Sequence, residues 1–462
     1  MSESISKTSA RLFGTDGIRG EAGVFPLDPE SLFLLGQAAA DVLNQSGAEA
    51  CCVIGQDTRS SSDGIRDSII AGLNSRGMKA LNAGVVPTPA VAFLTKKKKA
   101  AFGIVISASH NPYQDNGVKF FAADAYKLDE QIEKAVESRL RELIEAGRSG
   151  QADPVLAVEK IEDAAEAYVD YVCAGIISAE GNELPLAGRS IALDCANGAS
   201  YQTSAAILKK LGAQVISFFD QPSGENINLH CGCTHPGVIE KLVSENQVDL
   251  GISHDGDADR LCLCDENTSA LDGDELLTIA GLDMIQRGLL KDDTVVATTM
   301  SNGGLDVAIE AAGGQVLRTG VGDRQVIAQM RAGDYSLGGE QSGHIIFHPP
   351  STTGDGIVAA VQVLVIVGRT GKPLSELRKA FQPFPQVQRN LVMSSKPPLS
   401  TFVEAQVLIS ETESALGKSG RVLLRYSGTE LLLRLLIEGP DEKDITQRAD
   451  AIVTAIRKHS ES

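Results

Sequence analysis

The sequence predicts an α/β fold made of several domains. The chain has 462 residues, which is roughly three times the length that one hydrophobic core usually serves. A unit of apolar strand, polar loop, amphipathic stretch, glycine and second apolar strand occurs three times, at residues 52–81, 191–216 and 295–317. After the proline-containing stretch at 381–385 this unit does not recur. We therefore expect three related α/β domains and a smaller C-terminal α+β domain.

Each repeated unit is typical of a β-strand, a helical crossover and a second β-strand. Short crossovers of this length join strands of parallel or mixed sheets and place the helices on the sheet faces. The changes in pattern between the units give the domain boundaries, and the prolines at 381–385 predict a hinge before the last domain. The predicted domains are 1–160, 161–265, 266–382 and 383–462.

Charge and composition exclude several classes of function. The formal charge is −18, with 60 acidic and 42 basic residues, so neither nucleic-acid phosphates nor anionic lipids are expected partners. The four lysines at 96–99 are too few for a nucleic-acid arm and predict a solvated turn.

The cysteines and the apolar runs of the sequence bear on the compartment and on membrane association. No apolar signal segment precedes the eight cysteines, so we expect reduced thiols and a cytoplasmic protein. The longest nearly apolar run, residues 357–367, is about half of a membrane span. No membrane-spanning segment is predicted.

A serine and a histidine follow the apolar strand predicted at 104–106. Ser109 and His110 lie in the sequence Ser-Ala-Ser-His-Asn-Pro, at a strand end, where α/β proteins commonly keep their sites. The same residues are also ordinary turn and cap residues. A serine hydrolase is not expected, because the chain has no Gly-x-Ser-x-Gly motif.

Three carboxylates follow a second apolar strand, at 248–252. Asp255, Asp257 and Asp259 occupy alternate positions, and they repel one another unless a cation lies among them. Hard oxygen ligands of this kind suit Mg²⁺. An exposed acidic turn is the alternative, and an EF-hand is excluded because Arg260 occupies the position that requires glycine.

A third loop, at residues 338–344, crowds hydrogen-bonding groups between glycines. Glu340, Ser342 and His344 offer a carboxylate, a hydroxyl and an imidazole, which together suit the hydroxyl groups of a sugar. A polar hairpin is the alternative.

A fourth loop, at residues 425–430, combines a guanidinium with hydroxyls and a glycine. Arg425, Ser427, Gly428 and Thr429 can bind a phosphate through charge-assisted bonds and free backbone N–H groups. An ordinary turn is again the alternative.

Taken together and in this order, the four loops resemble those of the α-D-phosphohexomutase superfamily, over essentially the whole chain. The opening segment at 11–20, the segments at 106–112 and 115–119, and the segment at 339–344 with Gln341 are most similar to the bacterial phosphoglucosamine mutase branch. The resemblance implies four domains around one central cleft.

The resemblance also implies a role for each site residue. Ser109 would be the phosphoserine, and its phosphate would hold one Mg²⁺ with Asp255, Asp257 and Asp259. Lys119 would be the general acid/base, helped by Arg19, and His110 would line the same centre. The implied substrate-binding residues are Arg260, Gly322, Asp323, Arg324, Glu340, Ser342, His344, Arg425, Ser427, Gly428, Thr429 and Arg434.

The implied reaction interconverts glucosamine 6-phosphate and glucosamine 1-phosphate. Ser109 would donate its phosphoryl group to form a 1,6-bisphosphate and would take back the other phosphate after the sugar turns. A sugar 1,6-bisphosphate would therefore act as an activator, and the product would supply UDP-N-acetylglucosamine and cell-wall synthesis. A homodimer is a further expectation from the superfamily.

Two positions depart from the family pattern. Leu431 stands where a proline is usual, which puts phosphate affinity in doubt because a fixed φ is lost. Ala258 stands where glycine is common, and we expect a small effect because its carbonyl remains available.

Two other functions remain open on the residues alone. A strand that ends in Asp-x-Asp is also the nucleophile signature of haloacid-dehalogenase phosphatases, although Asp259 does not fit that signature. The altered phosphate loop also allows an inactive phosphosugar sensor. The preference for glucosamine over glucose or mannose depends on the resemblance.

Overall fold

The computed structural model describes residues 11–14, 16–44, 49–147, 158–427 and 431–460. These residues form two compact units. The first contains the described residues up to 300 together with 314–380, and the second contains 301–313 together with the described residues from 381 onward. The domain boundaries and the hinge given above stay predictions.

The first sheet carries the first repeated unit. Its strand order is β1-β2-β6-β5-β3-β4-β7. Strands β3, β4, β5 and β7 pair in parallel, whereas β1, β2 and β6 are antiparallel to their neighbours. The sheet is therefore mixed, and the predicted βαβ unit is confirmed as β3-α2-β4. The elements are β1 (Phe13–Gly14), β2 (Gly17–Glu21), α1 (Pro29–Leu43), β3 (Glu49–Gln56), α2 (Ser62–Asn74), β4 (Lys79–Val85), α3 (Thr88–Lys97), β5 (Ala100–Ile106), β6 (Asp115–Ala122), α4 (Glu130–Glu145) and β7 (Val158–Lys160).

The second sheet carries the second repeated βαβ unit. Its strand order is β12-β11-β10-β8-β9. Strand β8 pairs in parallel with both β9 and β10, so the carboxyl ends of these three strands lie at one edge. The elements are α5 (Ala164–Glu180), β8 (Ser190–Asp194), α6 (Thr203–Lys210), β9 (Gln214–Phe218), α7 (Pro236–Asn246), β10 (Leu250–His254), β11 (Leu261–Cys264) and β12 (Ala270–Leu271).

The third sheet has the order β14-β13-β15-β16. Strand β13 pairs in parallel with β14 and β15, and β16 is antiparallel to β15. The third predicted βαβ unit is confirmed as β13-α9-β14, with α9 grouped in the second compact unit. The elements are α8 (Gly273–Gln286), β13 (Thr294–Thr298), α9 (Gly304–Ala311), β14 (Gln315–Thr319), α10 (Asp323–Gly333), β15 (Leu337–Gly339), β16 (Ile345–Phe347), α11 (Gly356–Thr370) and α12 (Leu374–Leu377).

The second compact unit contains a three-stranded antiparallel sheet in the order β17-β19-β18. Two helices and the sheet share one core, which includes Phe402, Leu433 and Ile452. This arrangement confirms the expected change to an α+β pattern. The elements are β17 (Gln386–Val392), α13 (Val403–Leu416), β18 (Arg421–Tyr426), β19 (Leu432–Glu438) and α14 (Glu442–Ser460).

Helix lengths and cysteines complete the description. Across the described ranges no single helix is long and apolar enough to cross a membrane, although the bent pair Gly356–Thr370 and Leu374–Ala380 meets that test by length and composition. All eight cysteines are free thiols. The lysines at 96–99 are exposed, and the first two lie in the last turn of α3.

Candidate active site

Ser109 lies in the loop between β5 and β6 and is held in a strained conformation. The residue is 1% exposed and has a φ of 54°, a region that costs a residue with a side chain about 1 kcal/mol or more. Its N–H donates to Ser107 Oγ at 2.9 Å, and its carbonyl accepts from Asn228 Nδ2 at 2.9 Å. A Cβ on Gly256 would lie 2.6 Å from the same carbonyl. The loop is therefore fixed from both sides.

The acidic loop after β10 faces this serine. Ser109 Oγ donates to Asp255 Oδ2 at 2.6 Å. One carboxylate oxygen from each of Asp255, Asp257 and Asp259 lies within 4.8 Å of the others, and all three residues are buried. Ala258, between two of them, has a φ of 57°, which is the conformation that glycine adopts most easily. The three carboxylates thus point into one small volume.

The electrostatics of this loop favour a cation. Burial, followed by the charges of Asp259 and Asp257, raises the pKa of Asp255 to about 8. Asp257 Oδ1 and Asp259 Oδ1 are buried, and no described residue donates a hydrogen bond to either. Buried carboxylate oxygens without partners are costly, whereas Mg²⁺ binds oxygen ligands of this kind. The residues present therefore fit the expected ion.

Lys119 connects the acidic loop to the opening segment of the chain. Its Nζ lies 2.8 Å from Asp257 Oδ2, 3.4 Å from Asp259 Oδ2 and 2.9 Å from Asp16 Oδ2. Burial lowers the pKa of Lys119, but these three carboxylates outweigh it and raise the pKa well above its usual value. The ammonium is thus held on the acidic loop.

Arg19 and Lys127 share the carboxylate of Asp16. Arg19 forms an ion pair with Asp16. Lys127 Nζ lies 2.6 Å from Asp16 Oδ1 and also pairs with Asp323. Burial lowers the pKa of Lys127 less than the two carboxylates raise it, and the pKa lies above its usual value. Asp323 is thereby tied to the same cluster as Lys119.

His110 contacts Ser109, and Arg260 contacts Asp255. His110 Nδ1 is 3.3 Å from Ser109 Oγ. Burial, with the charges of Arg260 and Arg19, lowers the pKa of His110 to about 4, so the ring is neutral at pH 7. The backbone N–H of Arg260 donates to Asp255 Oδ1 at 3.2 Å.

The loop between β15 and β16 reaches the cluster through His344. This residue is 2% exposed, with Nδ1 3.7 Å from Asp259 Oδ2 and Nε2 3.6 Å from Asp323 Oδ2. Nε2 also accepts from Gly354 N at 3.0 Å. Burial lowers the pKa of His344, but the hydrogen bond and charge of Asp259 raise it overall. Both ring nitrogens therefore face protein groups.

The other predicted sugar contacts are placed differently. Glu340 Oε1 accepts from Gly322 N at 3.1 Å, so the two loops meet there. Arg324 points toward α4, where its Nη1 donates to Glu133 Oε2 at 2.8 Å. Ser342 is exposed.

The predicted phosphate-binding residues belong to the second compact unit. Arg425 on β18 lies directly opposite Arg434 on β19. Ser427 is buried, and its carbonyl accepts from Lys396 Nζ at 2.6 Å. Gly428 and Thr429 lie outside the described residues.

Sequence reasoning missed several residues of the first unit that hold this cluster. The hydroxyl of Thr88 donates to Asp257 Oδ2 at 2.6 Å, and Ser107 Oγ donates to Asp57 Oδ2 at 2.5 Å. Arg59 pairs with Asp57 and donates from Nη2 to the Ser109 carbonyl at 3.3 Å. Asp57 and Thr88 each follow a strand of the same parallel set as β5, so the strand-end argument used for Ser109 could have found them. Lys127 gave no comparable signal.

Comparison with known proteins places this geometry in a family. Four models of the phosphoglucomutase/phosphomannomutase family match the chain in sequence order: α/β/α domain I at residues 10–146, α/β/α domain II at 166–269, α/β/α domain III at 272–384 and the C-terminal domain at 369–455. The chain belongs to this family. The expected four-domain phosphohexomutase architecture is confirmed, and the protein is an enzyme of the mutase class.

Individual relatives agree with this assignment. A phosphoglucosamine mutase from Pelobacter propionicus is 45% identical, with 97% of this chain and 98% of that protein aligned. One from Geotalea uraniireducens is 43% identical over the same shares of the two chains. The recognition of the superfamily and of its phosphoglucosamine mutase branch is confirmed, and the phosphatase and sensor alternatives are wrong.

Solved structures show the same fold. A phosphoglucomutase/phosphomannomutase family protein from Burkholderia thailandensis has a TM-score of 0.79 at 20% identity, covering 98% of both chains. An N-acetylphosphoglucosamine mutase from Aspergillus fumigatus, in complex with GlcNAc-6P and magnesium, has a TM-score of 0.67 at 18% identity, covering 99% of both chains.

Proposed function

We propose that this enzyme interconverts glucosamine 6-phosphate and glucosamine 1-phosphate through a phosphorylated Ser109 and a 1,6-bisphosphate. The observation that carries the proposal is the contact between Ser109 Oγ and Asp255, within a carboxylate set in which two buried oxygens accept no hydrogen bond from the described residues. The choice of glucosamine is supported by curated relatives that are 43–45% identical over nearly the full chain.

Asp255, Asp257 and Asp259 are the residues we assign to Mg²⁺, together with the phosphate on Ser109. When bound, the ion neutralises charge on the transferring phosphoryl group. A phosphoserine adds a charge of about −1.5 to −2 beside three buried carboxylates. That charge makes a cation necessary for the phosphorylated state.

In the transfer step the bond between phosphorus and Ser109 Oγ breaks, and a bond forms between phosphorus and the free hydroxyl oxygen of the sugar phosphate. The sugar hydroxyl loses a proton and Ser109 Oγ gains one. We assign this exchange to the Lys119 ammonium, which gives up one proton and takes one up, so its charge is unchanged at the end of the step. Asp16 helps to orient the Lys119 ammonium, since its Oδ2 lies 2.9 Å from Nζ. The second half-reaction is the reverse transfer, from the other phosphate of the bisphosphate.

Substrate positioning is assigned to two pairs of residues. In the first, Glu340 and Gly322 form one hydrogen-bonded edge that we assign to sugar recognition. In the second, Arg425 and Arg434 are cross-strand neighbours on β18 and β19. Guanidinium groups form bidentate, charge-assisted bonds with a phosphate. We assign these two arginines to the non-reacting phosphate.

The cellular setting follows the same proposal. The enzyme would act in the cytoplasm and supply amino sugar for UDP-N-acetylglucosamine and cell-wall synthesis. A sugar 1,6-bisphosphate would activate it by phosphorylating Ser109, and a homodimer is proposed as its assembly.

Phosphorus NMR tests the reaction and its substrate together. The protein is incubated with Mg²⁺, a trace of glucose 1,6-bisphosphate and, in separate tubes, glucosamine 6-phosphate, glucose 1-phosphate or mannose 1-phosphate. We expect glucosamine 1-phosphate to form fastest. Ser109→Ala should abolish it, whereas Ser68→Ala on α2, whose hydroxyl bonds to the Gly64 carbonyl, should retain it. Faster turnover of another sugar, or turnover by Ser109→Ala, would overturn the proposal.

A further inference from the structure

A separate cavity of about 270 Å³ lies in the first unit, outside the cluster described above. Its walls come from α3, α5 and the loop at 350–355 that precedes α11. We propose that this cavity binds a small molecule that combines a planar aromatic ring with an anionic group, and that its occupancy changes the active site.

The interior of the cavity suits an aromatic ring. Phe93 stacks on Tyr171, with ring centroids 4.3 Å apart and an interplanar angle of 22°. The ring of Tyr168 lies 6.3 Å from that of Phe93 and is tilted by 56°. Aromatic walls favour offset or tilted contacts with a further ring. A cavity of about 150 Å³ already holds benzene, so this one has room for a fused ring system.

The rim of the cavity selects an anion. Lys96 and Lys97 line it from the last turn of α3, and both are exposed. Neither forms an ion pair with any carboxylate of the described chain. Lys97 Nζ lies 5.4 Å from the centre of the Phe93 ring, which places positive charge beside the aromatic wall. Two of the four lysines that the sequence assigned to a solvated turn are therefore placed to bind the anionic group of the ligand.

The one carboxyl group in the cavity wall does not oppose this charge. Asp355 caps α11 through Val358 N at 2.9 Å and accepts from the Tyr168 hydroxyl at 2.7 Å and from Ser351 Oγ at 3.4 Å. Its oxygens are therefore committed to the protein.

Both walls of the cavity continue directly into the active site. Helix α3 begins at Thr88, which donates to the Asp257 carboxylate through its hydroxyl at 2.6 Å and to the Asp257 carbonyl through its N–H at 3.0 Å. On the opposite wall, Gly354 N–H donates to the His344 ring, which faces Asp259. A ligand that separates α3 from this loop would shift two of the three carboxylates.

Coupling of this kind is reciprocal. A cavity ligand that changes Mg²⁺ affinity must have its own affinity changed by Mg²⁺ by the same factor. The coupling rests on the proposed metal site, whereas binding of the ligand does not.

Fluorescence titration with 1-naphthalenesulfonate tests the binding. The chain has no tryptophan, so the probe is read without overlap. We expect saturable binding at one site per chain. The double variant Lys96→Gln/Lys97→Gln should weaken it about tenfold, which corresponds to about 1.4 kcal/mol. The matched variant Lys98→Gln/Lys99→Gln removes the same charge from the adjacent positions and should change the Kd less than twofold. Neutral 1-naphthalenemethanol should bind all three proteins equally.

Three results would overturn the binding site: equal weakening by the two double variants, no weakening by Lys96→Gln/Lys97→Gln, or full displacement of the probe by glucose 1,6-bisphosphate. A second titration at saturating Mg²⁺ tests the coupling, and we expect the Kd of the probe to change at least twofold. An unchanged Kd would overturn the coupling alone. If Asp257→Asn abolishes Mg²⁺ binding but not probe binding, the metal site and the cavity are separable.

Discussion

The second sheet carries buried carboxylates of two kinds, a structural one at Asp265 and a pair in the acidic loop, and the two kinds differ in how their oxygens are satisfied. Asp265, at the end of β11, is 2% exposed. Its Oδ1 accepts from Asn267 N at 3.0 Å and Ser269 N at 2.9 Å, and its Oδ2 pairs with Arg378 at 2.9 Å. At the end of β10, Asp257 and Asp259 are equally buried, but one oxygen of each accepts no hydrogen bond from the described residues.

The difference separates a structural carboxylate from one kept for a ligand. A buried carboxylate whose two oxygens both accept hydrogen bonds stabilises its own turn. A buried carboxylate with an oxygen that accepts none lowers the stability of the fold, so it is retained only where function needs it. In the acidic loop, that function is the binding of a cation. Removing an acid should therefore damage function in one set and stability in the other.

The largest expected effect is on catalysis. Asp257→Asn should lower kcat/KM about a thousandfold, since metal ions contribute several kcal/mol to transition-state stabilisation. Without Mg²⁺ its free energy of unfolding should fall by less than that of Asp265→Asn, because relief of the repulsion within the acidic loop offsets the weakened ion pair with Lys119. Steady-state kinetics and urea unfolding measure the two quantities. A marked loss of stability with full activity would reverse the assignment of this loop.

The matching change in the structural set is Asp265→Asn. We expect the free energy of unfolding to fall by about 2 kcal/mol, because the Arg378 guanidinium and two backbone N–H groups lose their charged acceptor. Activity at low temperature should remain within about twofold. Urea unfolding checks the first value and kinetics the second. Loss of activity in the folded variant would remove the distinction between the sets.

Addition of Mg²⁺ should stabilise only the proteins that keep an intact acidic loop, by an amount similar to the loss expected for Asp265→Asn. At 100 times its Kd, a ligand that binds only the folded state stabilises by about 2.7 kcal/mol. Mg²⁺ should therefore raise the Tm of the native sequence and of Asp265→Asn, but not that of Asp257→Asn. Differential scanning calorimetry with EDTA and with Mg²⁺ provides the comparison. An equal rise in all three proteins would place the ion elsewhere.

The smallest expected effect is that of Ala258→Gly. The φ of 57° strains alanine but not glycine, although glycine gains entropy when unfolded. The two terms nearly cancel, so stability should change by less than about 1 kcal/mol and activity by less than about twofold. A large loss of activity would mean that the alanine methyl group has a role in the loop.

The fold and the central loops were predictable because local pattern determines them. The three βαβ units were readable from apolar strands and glycine-ended helices, and Ser109 and the three aspartates each follow a buried strand. Lys127 and Asp16 were not readable as a pair, because they are 111 positions apart and meet only through the fold. The same reason hid Thr88, whose contact with Asp257 spans 169 positions.

The orientation of single side chains was also beyond the sequence. His344 was predicted to contact sugar hydroxyls, yet its ring faces Asp259, Asp323 and Gly354. Arg324 was predicted to read the sugar, yet it pairs with Glu133 on α4. Both roles in substrate binding stay predictions.

The most direct test of the account is to locate the phosphate on the enzyme. The protein is incubated with Mg²⁺ and glucose 1,6-bisphosphate, quenched, digested and mapped by mass spectrometry. We predict one phosphate per chain, on Ser109, stable to hydroxylamine and absent from Ser109→Ala. A hydroxylamine-labile phosphate on Asp255 would contradict the account, because it would make the acidic loop the nucleophile rather than the ligand of a cation.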